Sequence, residues 1–173
     1  MHCDGLVGLE TGEDAKPYLV GLPEAGLGLC PGWGGTQLLP ARIPAVDAIR
    51  ATALGRPWKS DALPNELFDL TASDASLLED AARTWLREHP RTRRWETPRC
   101  LDDLSGDVLT VALDELEEEL TDTEAVRAVL ECVRSGMADG YLAGSETERR
   151  NLVSIRHTQA AREKLEAFFA RQG

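Results

Sequence analysis

Between Leu22 and Thr36 the chain carries glycine or proline at Pro23, Gly26, Gly28, Pro31, Gly32, Gly34 and Gly35. No helix or strand of ordinary length runs through such a stretch. Proline fixes φ and removes a backbone donor, and glycine raises the entropic cost of order. The rest of the sequence arranges itself around this loop. Ahead of it, Leu6-Val7-Gly8-Leu9 and Tyr18-Leu19-Val20-Gly21-Leu22 are short and β-rich enough to be strands, with Glu10 to Asp14 as the turn between them. Behind it, Thr36 to Ile43 and Ala45 to Leu54 are expected to form two short helices. The front of the chain, up to about Arg56, therefore alternates short apolar runs with glycines and prolines.

From Ser73 onward the pattern is helical. Ser76-x-x-Glu79, Thr121-x-x-Glu124 and Ser145-x-x-Glu148 each have the form of a capping box, in which hydroxyl and carboxylate satisfy orphan N–H groups reciprocally. The second opens a segment with Val126, Val129, Leu130, Val133 and Met137 on one face. The third opens a long segment bearing Leu152, Ile155, Leu165, Phe168 and Phe169 at helical spacing. Leu109, Ala112, Leu113, Leu116 and Leu120 make a further stripe. Each stripe reads as core or subunit interface. His89 to Leu101, with Pro90, Pro98 and several arginines, reads as a linker, and no internal repeat is visible. The strand content is low for an α/β domain, and the helices at the back have little sheet to pack against.

The chain's 173 residues are the size of one domain. A net charge of −11 argues against nucleic acid or an anionic membrane as partner, since both need a cationic surface. Much of that charge sits in Asp114-Glu115-Leu116-Glu117-Glu118-Glu119, which reads as the wet face of a helix. No apolar run reaches the roughly 18 residues of a membrane span, and the first residues lack the marks of a signal peptide. A cytoplasmic protein is the expectation. Cys3, Cys30, Cys100 and Cys132 are scattered and form no C-x-x-C pair, so they read as free thiols rather than metal ligands or a redox motif. His2, Cys3 and Asp4 have no matching cluster downstream, so no metal is expected.

One carboxylate stands out. Glu24 follows Pro23 at the end of an apolar strand, where partial desolvation would raise its pKa and suit it to general acid/base work. The glycines after it allow close backbone approach to a ligand, and Gly34-Gly35-Thr36 is expected to open a helix with free N–H groups. Two ordinary accounts compete. A glutamate at a strand end is commonly just solvated, and a glycine-rich loop can be a dinucleotide site. The second fits poorly, because Gly26-x-Gly28 would need glycine at position 31, which is Pro31.

From Pro23-Glu24 through Pro31-Gly32-Trp33-Gly34-Gly35-Thr36 the order and spacing resemble the signature of the crotonase family, the enoyl-CoA hydratases and isomerases. Downstream, Ala53-Leu54-Gly55-Arg56-Pro57 is similar to the family's Leu-Thr-Gly-Arg segment. Leu67-Phe68-Asp69 sits where a strand is expected, with Pro64-Asn65-Glu66 as a departure before it. Glu166 to Arg171 resembles the closing helix of the hydratase part of bifunctional 3-hydroxyacyl-CoA dehydrogenases, and Met1-His2-Cys3-Asp4 the residues just after a Gly-Gly-Gly-x-Glu motif.

The resemblance implies an α/β fold that is part of a crotonase-like ββα spiral. Residues 1–57 would be the end of the spiral core and 58–173 its helical C-terminal region, together one partial domain. It implies an acyl-CoA thioester as substrate in fatty-acid β-oxidation and no resident cofactor. Glu24 takes the place of the second catalytic glutamate, and Pro31, Gly32, Trp33, Gly34 and Gly35 lie beside the acyl chain. The first glutamate and the oxyanion-hole donors belong, on this alignment, to sequence ahead of Met1. The expectation is therefore a fragment inactive on its own. Its alternatives are a non-catalytic helical subunit in a trimer or hexamer with crotonase-type chains, an independent acyl-CoA binder, or the hydratase portion of a bifunctional enzyme. Arg87, Arg91, Arg93, Arg94 and Arg99 with Trp95 could hold CoA phosphates and adenine, against the plainer account of a solvated connector.

Overall fold

A computed structural model describes residues 2–12, 15–90 and 99–171. It is an α/β structure in which helix predominates and the strands form small sheets. In chain order come β1 (Val7–Leu9), β2 (Leu19–Val20), α1 (Gly35–Leu38), α2 (Ala45–Leu54), β3 (Trp58–Lys59) and β4 (Leu70–Ala72). Then follow α3 (Leu78–Glu88), α4 (Gly106–Glu119), α5 (Glu124–Asp139), α6 (Tyr141–Ile155) and α7 (Gln159–Ala170). The chain forms two compact units, Met1–Val20 with Trp58–Arg99 and Gly21–Pro57 with Cys100–Gly173.

The first unit holds all four of these strands, in two pairs. β1 runs parallel to β4 with Val7 opposite Leu70 and Leu9 opposite Ala72, and β2 runs antiparallel to β3 with Val20 opposite Trp58. The Tyr18 hydroxyl donates to the Leu9 carbonyl at 2.6 Å and accepts from the Leu9 N–H at 3.2 Å, so one side chain satisfies both backbone groups of that residue. α3 packs on β1 and β4, and its buried Trp85 lies over Gly5, just ahead of β1. A Cβ at Gly5 would come within 2.8 Å of the Trp85 ring. The strand expected at Leu67-Phe68-Asp69 begins instead at Leu70. Glu66 adopts φ 67°, a left-handed turn closed by the Leu67 N–H on the Pro64 carbonyl, and this consumes the residues before it. Asp69 uses its carboxylate to accept the Leu6 N–H at 2.7 Å.

The second unit is helical. Ile49 of α2, Leu109 and Leu116 of α4, and Val129 and Val133 of α5 form a core together with Leu101. Packing of this kind, rather than helix propensity, supplies most of the stability of such helices. The stripes expected on α4 and α5 face that core, except that Met137 is 40% exposed. The acidic run at the end of α4 is solvent-facing. Glu115 and Glu119 reach Arg50 of α2 at 2.9 Å and 2.8 Å.

Helix starts differ from the capping-box reading in each case. In the first unit Asp74 caps a short 3-10 turn, taking the Ser76 N–H at 2.8 Å, and α3 follows. In the second, Thr123 rather than Thr121 caps α5 through the Val126 N–H at 3.2 Å. α6 has already begun at Tyr141, so Ser145 and Glu148 lie inside it. The long C-terminal segment is two helices, because Thr158 caps α7 by accepting the Ala161 N–H at 3.3 Å. Part of the Glu10 to Asp14 turn, and Arg91, Arg93, Arg94 and Trp95 of the basic run, lie outside the described residues.

Candidate functional site

Glu24 opens a 3-10 turn, Glu24–Leu27, that Gly28 closes in the left-handed conformation at φ 75°. The Leu29 N–H returns to the Glu24 carbonyl at 2.9 Å. Two close approaches fix this turn within the second unit. A Cβ at Gly55, just past α2, would come within 1.9 Å of the Gly26 nitrogen, and one at Gly28 within 3.0 Å of Ala161 in α7. Only glycine fits at Gly55, where φ is 60° as well.

The Glu24 carboxyl is half-buried, and its Oε2 is enclosed without a hydrogen-bond partner among the described residues. Burial pushes its pKa above the ordinary carboxylate value. Its own backbone N–H pulls the other way, and the negative charge of Glu148 adds to the rise. A carboxyl so placed holds its proton to higher pH than a solvated one, which suits a group that must both give and take a proton.

After the turn the chain buries Cys30 and Pro31 and passes Gly32 beneath Leu152 of α6, where a Cβ would lie 2.5 Å from a Leu152 methyl. Trp33 then turns outward and is 84% exposed. Gly34, at φ 80°, precedes α1, and Gly35 is buried against Leu22. Pro31, Gly32, Gly34 and Gly35 are thus held in one packed loop, with the Trp33 ring standing out from it.

The expected free N–H groups are not free. Glu148, a fully buried side chain of α6, accepts the Gly34 N–H at 2.5 Å through Oε2. Its Oε1 accepts the Thr36 N–H at 2.6 Å and the Thr36 hydroxyl at 2.5 Å. An internal carboxylate therefore fills the anion-binding position that a helix start offers. Beside it, Gln37 is buried between α5 and α6, donating to Thr36 Oγ1 at 2.8 Å and to the Cys132 carbonyl at 2.9 Å. Its amide lies where Gly136 and Gly144 leave room, since a Cβ at either would fall within 2.3 Å of it.

Glu148 and Gln37 escaped the reading of the sequence. For Glu148 there was a signal. Gly144, Thr147, Glu148, Asn151 and Ile155 make one buried seam at helical spacing, legible once the helix is started at Tyr141. Assigning Ser145 and Glu148 to a cap concealed it.

Cys30 and Cys132 are both buried, with sulfur atoms 3.8 Å apart. The hydrogen bond to Cys132, together with burial, holds the Cys30 thiol well above its ordinary pKa, which disfavours a reactive thiolate. Two grooves elsewhere in this unit do not include Glu24. One of about 520 Å³ lies between α4 and α5 along Leu116, Leu120, Val126 and Leu130, and a smaller one lies around Leu104 and Met137. Among the described residues no group of three or more His, Cys, Asp or Glu side chains could hold a metal ion, and no helix is long and apolar enough to cross a membrane. No family model matches the sequence.

Proposed function

We propose that this chain carries the second acid/base group of a crotonase-type acyl-CoA enzyme, of the enoyl-CoA hydratase/isomerase kind. Its fold would then be part of a ββα spiral, its setting cytoplasmic β-oxidation, and its substrate an acyl-CoA thioester. The observation that carries this reading is the Glu24 carboxyl, half-buried on a glycine-locked turn with one oxygen enclosed and unpartnered among the described residues. It stands at the head of the segment whose motif resembles that family, followed by the packed loop Pro31–Gly35. Hydration of an enoyl thioester adds water across a carbon–carbon double bond, and each carbon needs a proton donor or acceptor nearby. Glu24 would serve one of them.

Charge that develops on the thioester oxygen must be met by backbone donors, each worth about 3–4 kcal/mol in such reactions. Gly34 and Thr36 do not supply them, because Glu148 has taken both N–H groups. On this reading the 173-residue chain turns over no acyl-CoA by itself. The test is crotonyl-CoA hydration by the chain alone and co-expressed with a polypeptide bearing a Gly-Gly-Gly-x-Glu segment, each with Glu24 and with Glu24→Gln. Turnover in the pair that falls at least ~100-fold on substitution supports the reading, as removal of a general acid/base should. A pair without turnover, or one indifferent to Glu24→Gln, overturns it.

A second reading, a non-catalytic helical subunit that assembles with crotonase-type chains, draws on exposed apolar side chains of the last two helices. Leu142 is 79% and Phe169 65% exposed. Co-purification with a larger crotonase-type protein, together with a Glu24→Gln variant that changes nothing, is the outcome it requires.

A further inference from the structure

Cys30 and Cys132 lie 102 residues apart in sequence and meet inside the second unit, both fully buried, with their sulfurs 3.8 Å apart. A buried cysteine by itself commonly serves as a small apolar residue. Two in contact have a chemistry that neither has alone, because one bond can join them. A disulfide holds its sulfurs about 2.0 Å apart, so this pair must close by about 1.8 Å. The two partners differ in what lets them move. Cys132 sits within α5, next to the fully buried Val133, and its carbonyl accepts Gln37 Nε2 at 2.9 Å. Cys30 sits in irregular backbone midway between Gly28 and Gly32, where glycine leaves the chain room to adjust. Closure therefore brings the loop to the helix.

We propose that Cys30 and Cys132 form a redox-modification site, at which a hydroperoxide converts the two thiols to a disulfide that ties the glycine-rich loop to α5. Both sulfurs are sealed from solvent, which selects a small uncharged oxidant over a bulky one such as oxidised glutathione. The hydrogen bond to Cys132, with burial, keeps the Cys30 thiol protonated in the closed structure. Oxidation accordingly proceeds through brief local openings, and the pair is quiet otherwise. One sulfur attacks the peroxide and the O–O bond breaks. One oxygen leaves as water with the thiol proton, and the other stays on sulfur as a sulfenic acid. The second sulfur displaces that hydroxyl, which leaves as water with the second thiol proton. Two S–H bonds and one O–O bond break, one S–S and two O–H bonds form, and the sulfurs give two electrons to the peroxide oxygens. A partner already in contact resolves the sulfenic acid before it climbs to sulfinic acid. In a reducing compartment such a bond lasts only as long as the oxidant does.

The test uses the reduced 173-residue chain, treated with hydrogen peroxide under native conditions, alkylated and digested without reductant for peptide mass mapping. The expected product links the Cys30 and Cys132 peptides with loss of two hydrogens and is reversed by dithiothreitol. Closing a span of 102 residues should raise the thermal midpoint by at least about 5 °C, and an unchanged midpoint overturns the claim that the bond ties the loop. Exposed Cys3 is the internal control, since its oxidation shows that the peroxide was competent. Cys3 oxidised while Cys30 and Cys132 remain alkylatable overturns the proposal. So does a link from either to Cys3 or Cys100, or separate oxidation of the two to sulfinic acid. Equal yield from oxidised glutathione overturns the choice of oxidant. Cys132→Ala should abolish both the link and the rise in midpoint; should that variant fail to fold, the mapping of the unsubstituted chain decides. None of these readouts involves acyl-CoA or Glu24, so they stand or fall apart from the hydratase reading.

Discussion

At the scale of single residues, two glutamates of the second unit have opposite surroundings. Glu148 is surrounded by donors, whereas Glu24 keeps an oxygen that no described residue satisfies. The unsatisfied one has consequences for stability. A carboxyl whose folded pKa is raised binds its proton more tightly when native than when unfolded. Its favourable contribution is therefore present at low pH. It is lost as pH climbs past the ordinary 4.5 and through the raised folded midpoint. Urea unfolding across that range should show the chain losing stability with rising pH relative to Glu24→Gln, which has no proton to lose. Parallel curves for the two proteins would mean that the carboxyl is solvated after all.

Among the elements, the crossing of α5 and α6 is the most constrained. Both helices present glycine where Gln37 enters, and the Gln37 side chain is fully buried and anchored at its amide. A Cβ at Gly136 would fall 1.8 Å from Gln37 Oε1. Gly136→Ala should therefore destabilise by about 1–3 kcal/mol in denaturant melts, the usual range for an overfilled core. Adding Gln37→Ala should recover part of the loss; strict additivity of the two changes would refute the steric account.

The same scale shows what the sequence made legible. α2 fell where expected, Ala45 to Leu54, because Pro44 opens it and Gly55 ends it in the left-handed conformation. The apolar stripes of α4 and α5 were legible from their period. The start of α6 was not. Gly140 sits at φ 85° and ψ 174°, and the Tyr141 N–H is taken by Asp102, 39 residues earlier. A start held by a distant side chain leaves no local cap to read. For the same reason the candidate site was legible only in part. Glu24 and its glycines lie together in sequence, whereas the group that holds the loop lies on a helix far along the chain.

For the molecule as a whole, order should be uneven. The strand pairs of the first unit are two or three residues long, and pairs of that size are marginal alone. α5 buries Val129, Cys132 and Val133 completely. Native-state hydrogen exchange should accordingly find its slowest amides in α5 and markedly faster ones in β1 and β4. Protection of β1 equal to that of α5 would show a sturdier first unit than its short pairings suggest.

The bond from Gly34 to Glu148 spans 114 residues, which sets a schedule for synthesis as well as a geometry. At ribosomal speeds of roughly 5–20 residues per second, the Gly34 N–H waits on the order of ten seconds for its acceptor to be made. Through that interval the glycine-rich loop of the nascent chain has no latch, and its amides are open to water or to a chaperone. Its final conformation is set late, when α6 emerges.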